Sequence, residues 1–281
     1  MLPPPPSLGG LMNLEEKRMR KAAGIFLLSI GLATAARAEL APVDLVYQLA
    51  PTTALSAGLL EGNTRFSRML ALGDFGLGAL SPVEGEIIVL GGEVYQADPE
   101  GRIRAVSDQE QTPFLTVKRF TRDQRFTLSQ VRGMAHLARA LDARLPSANG
   151  VYAVRLDGRF QALKLRSVPR QKPPYRPIDQ VVAEQNVYEL ADVTGTLVGF
   201  RLPDYLAAVS GAGYHFHFID QERRRGGHLL DLRGEDLTVS VDRGAGVALL
   251  LPEDEAFADA DLRLDSQSTA RFQRAVRGEV E

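Results

Sequence analysis

The sequence predicts a strand-dominated α+β protein with two β-rich lobes, one long amphipathic helix and several short helices. About a dozen short segments rich in β-branched and aromatic residues are separated by turns that contain Gly, Asp or Pro. One stretch, residues 128–145, places apolar side chains at helical spacing over several turns. The loop near residues 145–150 is the plausible division between two packed sheet lobes.

Turn-forming residues divide the predicted strands into hairpins. Three hairpins are predicted on this basis: residues 85–96 with a turn at Gly91-Gly92, residues 151–168 with a turn at Asp157-Gly158, and residues 185–201. The glycine-rich segment Gly73–Gly78 is followed by neither a lysine nor an amphipathic helix, so a phosphate-binding loop is disfavoured. Close approach of its backbone to a ligand or to a neighbouring strand is the better interpretation.

The composition is that of an ordinary soluble globular protein. The chain has 281 residues, of which 44% are hydrophobic and 24% are charged, and its formal net charge is −2. No basic stripe is interleaved with aromatic residues, so nothing indicates a nucleic-acid partner. The absence of cysteine excludes disulfides, thiolate metal sites and cysteine nucleophiles.

The N-terminal sequence predicts an exported protein. Residues 19–38 combine a basic start, an apolar stretch and the small-X-small site Ala36-Arg37-Ala38, which is typical of a secretory signal peptide. Residues 1–18 are interpreted as an over-long translation start. The apolar stretch is only ~14 residues long, whereas a membrane span needs ~20. We therefore expect cleavage near Ala38 and a mature protein, periplasmic or secreted, without a membrane anchor.

Three of the four histidines fall in one short window and predict a metal site. In a strand, alternate side chains share a face, so His215 and His217 should point one way while Phe216 and Phe218 point the other. An arginine-rich turn closed by two glycines then returns a second strand that begins with His228. Three converging imidazoles can hold Zn²⁺, or another divalent first-row ion, with an open position. The alternative is that these are hydrogen-bonded core or surface histidines.

The sequence allows two interpretations for Glu86 and two for the arginines of residues 166–177. Glu86 begins an otherwise apolar strand, where it lies either at a solvated strand end or turned inward for a purpose. Arg166, Arg170 and Arg176 belong to a proline-rich segment, residues 166–177. That segment is either a solvated loop or one in which proline holds the guanidinium groups in fixed positions.

Six segments, taken together and in order, strongly resemble the α-acetolactate decarboxylases over about residues 43–257. They are Gly73–Gly78, Gly85–Leu90, Arg166–Gln171, Gly195–Phe200, Gly213–Phe218 and Arg225–Asp231. The resemblance implies a two-lobed, sheet-rich fold for residues 39–281, a zinc ion and a homodimer. It also implies a carboxy-lyase that converts 2-acetolactate to acetoin and CO₂, in acetoin and butanediol biosynthesis.

The resemblance also implies roles for individual residues. His215, His217 and His228 stand where the family has its three zinc ligands. Glu86 stands at the position of the family's active-site glutamate, and Arg166 at that of its active-site arginine.

Two positions depart from the family pattern. Ala79 occupies a place where many members have a small hydroxyl residue, so substrate positioning is expected to be weaker there. The family also uses a glutamate from its C-terminal tail. Glu279 and Glu281 are the candidates in this chain, and neither is assigned.

The expected chemistry follows from the substrate. Loss of CO₂ leaves electron density that must delocalise as an enediolate, for which a zinc ion acts as Lewis-acid electron sink, so no organic cofactor is needed. Arg166 would orient the carboxylate or hydrogen-bond the enediolate, and Glu86 would work as acid and base. The competing hypotheses are another metalloenzyme built on the same three histidines and an exported metal-binding protein.

Overall fold

The computed structural model describes Met1, Pro3, residues 43–263 and residues 266–277. The predicted signal peptide at 19–38 with its predicted cleavage site, nearly all of residues 1–18, which are interpreted as an over-long start, and the tail candidates Glu279 and Glu281 lie outside these residues. Within the described part of the chain, no helix is both long enough and apolar enough to cross a membrane.

Short strands and a few helices make up the described residues. The strands are β1 (Leu45–Leu49), β2 (Thr64–Arg65), β3 (Phe75–Leu80), β4 (Glu84–Leu90), β5 (Glu93–Ala97), β6 (Ile103–Ala105), β7 (Gln111–Thr112), β8 (Phe114–Lys118), β9 (Gln124–Arg132), β10 (Val151–Ser167), β11 (Asn186–Leu202), β12 (Gly213–Asp220), β13 (Gly226–Gly244) and β14 (Gly246–Leu250). The helices are α1 (Thr52–Ser56), α2 (Phe66–Leu70), α3 (Met134–Asp142), α4 (Ile178–Ala183), α5 (Glu255–Asp259) and α6 (Ser266–Arg277), with a 3₁₀ turn at Asp204–Leu206. The strand-dominated α+β fold is therefore confirmed.

Two large sheets carry the fold. The first has seven strands in the order β14-β1-β8-β3-β4-β5-β6, and the second has five in the order β10-β11-β12-β13-β9. Strand β10 also pairs with β13, so that β10, β11, β12 and β13 close on one another. The pairing of β1 with β14 is parallel, whereas the other neighbours in both sheets are antiparallel. A small separate sheet pairs β2 with β7.

Apolar side chains from both sheets form one shared core. Phe75 and Ile88 of the first sheet are buried in the same cluster as Phe200 and Ile219 of the second. A separate cluster joins the second sheet to α3 and contains Phe216 and Phe218 of β12. Because side chains alternate along a strand, the histidines of β12 then face away from that cluster, as the sequence predicts.

The predicted long helix at residues 128–145 is wrong in its first part. Residues up to Arg132 belong to β9, which pairs with β13, and α3 covers only Met134–Asp142. Gly133, with φ 95°, separates the two elements. Leu128 and Val131 are three residues apart, a spacing that favours a helix, but the pairing of this segment with β13 makes it a strand.

Two of the three predicted hairpins are also wrong. Strands β10 and β11 each run for 17 residues without turning, and they pair with each other along their length. The register of β10 with β11 continues unbroken past Asp192, which has φ 52°. In the pairing of β10 with β13, the register shifts between Asp157 and Phe160, where the sequence predicts a turn. Asp157 and Gly158 therefore lie at a bulge rather than in a loop.

The glycine predictions for the first sheet are confirmed. β4 and β5 form a hairpin in which Gly91 and Gly92 have φ 64° and 84°, a backbone conformation that favours glycine. Gly76 and Gly78 of β3 approach the backbone of β8 so closely that an added Cβ would overlap the carbonyl oxygens of Thr116 and Phe114. The segment Gly73–Gly78 therefore serves close strand packing.

Candidate active site

The three histidines predicted from the sequence meet at one point, on the hairpin of β12 and β13. His217 lies directly opposite His228 in the strand register, and His215 lies two residues before His217. Nε2 of His215 is 3.2 Å from Nε2 of His217 and 3.1 Å from Nδ1 of His228, and the third distance is 3.3 Å. The hairpin thus presents three ring nitrogens at the corners of a nearly equilateral triangle.

Two main-chain carbonyls fix the orientation of two of these rings, His217 and His228. Nδ1 of His217 donates to the oxygen of Ile87 at 2.8 Å, and Nε2 of His228 donates to the oxygen of Val276 at 2.7 Å. A carbonyl oxygen only accepts, so these ring nitrogens carry the protons. The nitrogens that face the triangle, Nε2 of His217 and Nδ1 of His228, are then both acceptors and cannot hydrogen-bond to each other.

Burial keeps the three rings neutral. It lowers the pKa of His217 to about 3, and it lowers the pKa values of His215 and His228 well below 6.5. The Arg166 guanidinium lowers all three pKa values further. Neutral imidazole is the form that binds a metal ion.

The donor set fits a small divalent cation. For a tetrahedral ion with metal–nitrogen bonds of about 2.0–2.1 Å, two ligand nitrogens lie about 3.3–3.4 Å apart. The observed separations, 3.1 to 3.3 Å, are close to this value. Among the described residues, His215, His217 and His228 are the one group of His, Cys, Asp or Glu placed to hold a metal ion. Three ligands leave a position open for a substrate.

Glu86 is turned inward beside the histidines. Its side chain is 7% exposed, Oε1 accepts a hydrogen bond from Nη1 of Arg166 at 2.7 Å, and Oε2 is 3.3 Å from Nε2 of His217. Burial raises the pKa of Glu86 to about 7, against the opposing effect of Arg166. The solvated strand-end interpretation is therefore wrong.

Arg166 connects the carboxylate to the histidines. It lies near the end of β10, directly opposite His228 in the register, and its Nη2 donates to Nδ1 of His228 at 3.2 Å. Burial lowers the pKa of Arg166, and Glu86 partly restores it. A strand thus positions this guanidinium, not the proline-rich segment. Arg170 and Arg176 instead form exposed ion pairs with Glu84 and Glu184.

A small cavity of about 60 Å³ lies against these polar groups. Its wall is mostly apolar and comes from several elements: Leu55, Gly78, Ala79, Val83, Gly85, Phe114, Val168, Ile178, Val182, Phe272 and Val276. Phe272 and Val276 of α6 were not predicted from the sequence. Their i, i+4 spacing indicates one buried helix face, but it says nothing about what the face covers.

Histidines able to bind a metal, a buried acid and a buried arginine lie together against a mostly apolar cavity, which is the arrangement of an enzyme active site. The comparison with known proteins specifies its class. Residues 46–264 match the model of the family described as alpha-acetolactate decarboxylase. The chain belongs to the alpha-acetolactate decarboxylase family and is a carboxy-lyase.

Individual relatives agree with this assignment. The alpha-acetolactate decarboxylase of Methanosarcina mazei is 41% identical over 78% of this chain and 76% of that protein. The one from Raoultella terrigena is 37% identical over 82% of this chain and 88% of that protein. The crystal structure of alpha-acetolactate decarboxylase from Bacillus subtilis strain 168 superimposes with a TM-score of 0.78 at 31% identity, and the match covers 84% of this chain and 98% of that one.

Proposed function

We propose that the protein converts 2-acetolactate to acetoin and CO₂ with Zn²⁺ bound by His215, His217 and His228. The observation that carries the proposal is the triangle of three neutral ring nitrogens beside Glu86 and Arg166. Family membership supports the reaction. The nitrogen-only donor set and its spacing support zinc.

The zinc ion, when bound, supplies Lewis-acid stabilisation of the negative charge that develops on substrate oxygens. The cavity wall contributes separately. A carboxylate that enters a mostly apolar cavity loses hydration, which is costly for a charge, whereas CO₂ is uncharged. The wall therefore disfavours charge on the carboxyl group. When CO₂ leaves, that charge passes to the remaining substrate oxygens, which Arg166 can compensate.

Arg166 is the group that binds the anionic substrate. Its guanidinium is planar and offers several donors, so it can keep its bond to Glu86 while it donates to a substrate oxygen. It also fixes where the carboxylate of Glu86 lies relative to the histidines.

Glu86 exchanges the proton. A group with a pKa of about 7 holds and releases a proton with nearly equal ease at neutral pH. In this role Glu86 takes the proton of the substrate hydroxyl or delivers one to the carbon that lost CO₂.

Export and assembly are also part of the proposal. The signal-like residues 19–38 support export with cleavage near Ala38, to the periplasm or the medium. The family resemblance supports a homodimer. Mass spectrometry of the mature N-terminus and sedimentation of the purified protein test these two points.

The experiment that tests the reaction measures acetoin formation from racemic 2-acetolactate. The same protein is compared as purified, after metal removal with a chelator, and after zinc is restored. We expect turnover to disappear on metal removal and to return with zinc. Recovery of acetoin formation with iron but not with zinc would overturn zinc as the metal. Zinc binding without acetoin formation would favour the metal-binding protein or another metalloenzyme built on the same histidines.

A further inference from the structure

Helix α6 contributes to the site although it lies beyond the region that matches the family model. The match ends at residue 264, and α6 covers Ser266–Arg277. Phe272 and Val276 of this helix are almost fully buried and form part of the cavity wall. Some feature of the chain must therefore hold α6 in place over the histidines.

The helix touches the metal-binding group through its backbone. The oxygen of Val276 accepts the proton of His228 Nε2 at 2.7 Å. This bond leaves Nδ1 of His228 without a proton and directed at the other two histidines. Hydrogen bonds of this kind to the outer nitrogen of a ligand histidine fix its tautomer and its ring orientation.

Gln273 fastens the same helix to the strand that carries the other two histidines. Its side-chain amide, oriented with the nitrogen toward the carbonyl, donates to the oxygen of Ala212 at 3.1 Å and accepts from the nitrogen of Ala212 at 3.0 Å. Ala212 immediately precedes β12, which begins at Gly213. One side chain therefore ties α6 to the start of β12 by two hydrogen bonds.

Packing at the same place supports a close fit. A Cβ at Gly211 would lie 3.5 Å from Cγ2 of Val276 and 3.6 Å from Cε1 of Phe272, so the backbone before β12 lies within van der Waals reach of α6. The ring of Phe272 also contacts that of Phe114, with centroids 6.1 Å apart. These apolar contacts are shape-dependent but not directional, whereas the two bonds of Gln273 set the helix's register against β12.

We propose that Gln273 is a positioning residue: it holds α6 where the Val276 carbonyl orients His228 for metal binding. Gln273 does not touch substrate or metal in this role. The inference rests on the metal binding of the proposed function, and not on the identity of the substrate.

The test measures the dissociation constant of Zn²⁺ by competition with a chromophoric chelator, in the absence of substrate. We expect Gln273→Ala to weaken zinc binding about tenfold, because loss of an outer hydrogen-bond partner of a ligand histidine typically costs 10–100-fold. Gln273→Glu keeps the acceptor but loses the donor, so its dissociation constant should lie in between. Gln221→Ala makes the same change on the exposed turn between β12 and β13 and should bind zinc like the wild type.

The outcomes separate the two proposals. Zinc affinity within twofold of wild type in both Gln273 variants, with the protein folded by circular dichroism, overturns the positioning role. If Gln273→Ala does not fold, the Gln273→Glu variant decides by the same criterion. A wild-type protein that binds zinc but forms no acetoin overturns the proposed reaction and leaves the role of Gln273 standing.

Discussion

Burial decides the chemistry of Glu86. The carboxyl group lies between Arg166 and His217, and loss of hydration outweighs the attraction of the guanidinium, so its pKa rises from 4.5 to about 7. A glutamate at an exposed strand end would be fully ionised at neutral pH and poor at returning a proton. In the proposed mechanism, the same residue type acquires acid–base function from its position in β4.

Glu86→Gln should retain zinc and lose most of its turnover. The amide keeps the shape of the side chain but cannot exchange a proton, and general acid–base catalysis contributes about 10²–10⁴-fold in rate. Steady-state acetoin formation and zinc content measure the two properties separately. Glu84→Gln, two residues earlier and paired with the exposed Arg170, is the matched control and should remain active. Unchanged kcat in Glu86→Gln would remove the acid–base role.

The metal-free protein should be less stable at pH 5 than at pH 7. The folded-state pKa values of the three site histidines lie below 6.5, so below that pH the unfolded chain binds more protons and the free energy of unfolding falls. Glu86 acts in the opposite sense between its unfolded value of 4.5 and about 7, but it is one group against three. Urea unfolding at both pH values measures the difference.

The Glu86→Gln variant tests whether Glu86 increases the free energy of unfolding when the pH falls from 7 to 5. Removing the carboxyl group removes a contribution that increases stability on acidification. The loss of unfolding free energy from pH 7 to pH 5 should therefore be larger in the variant, by up to about 1.4 kcal/mol per pH unit. An equal or smaller loss would contradict the pKa assignment of Glu86.

Sequence alone predicts the site's polar residues unequally well. Strand alternation brings His215 and His217 to one face, and a short turn brings His228 beside them, so local rules suffice. The direction of Glu86 depends on β4 packing against β12, which no local pattern encodes. The carbonyl of Val276 is a backbone group, and its part in the site arises only when α6 folds over the cavity.

At the scale of single elements, residues that form turns between strands can also lie inside a continuous strand. Asp192 and Asp236 have positive φ, a backbone conformation that is common in turns. Both nevertheless lie inside continuous strands. A bulge and a hairpin use similar backbone conformations, and only the partner strand decides between them. Predictions of strand existence were therefore better than predictions of strand ends.

Gly76→Ala should destabilise the first sheet. A Cβ at this position would overlap the carbonyl oxygen of Thr116 on β8, so the strands must separate or shift. Overpacking of this kind costs about 1–3 kcal/mol. The melting temperature measured by circular dichroism should fall by several degrees. Gly246→Ala, where the nearest atom would be Cδ2 of Leu45 at 3.4 Å, is the control, and an equal melting temperature in both variants would contradict the overlap.

At the scale of the whole molecule, a buried ion pair joins the two sheets. Nζ of Lys118 on β8 lies 2.6 Å from Oδ2 of Asp242 on β13 and 2.5 Å from Oδ1 of Asp44. Neither Lys118 nor Asp242 is exposed to solvent to a significant extent. The charges are compensated only while the sheets stay together.

Lys118→Met should cost about 3–5 kcal/mol of unfolding free energy, because it leaves Asp242 buried without its cation. Lys118→Met combined with Asp242→Asn should recover part of that loss, since no uncompensated charge remains. Denaturant unfolding compares these variants with Lys164→Met, which changes an exposed lysine of β10. A double variant no more stable than Lys118→Met alone would show that the loss does not come from the unpaired charge.

The parallel pairing of β1 with β14 has a consequence for biosynthesis. It joins residue 45 to residue 246, so the first sheet uses strands from distant parts of the chain. Until the ribosome has released the later segment, one edge of β1 remains open to any other extended chain. The completed edge therefore forms only after residues 246–250 have been synthesised, and a nascent chain held unfolded until then avoids pairing with the wrong strand.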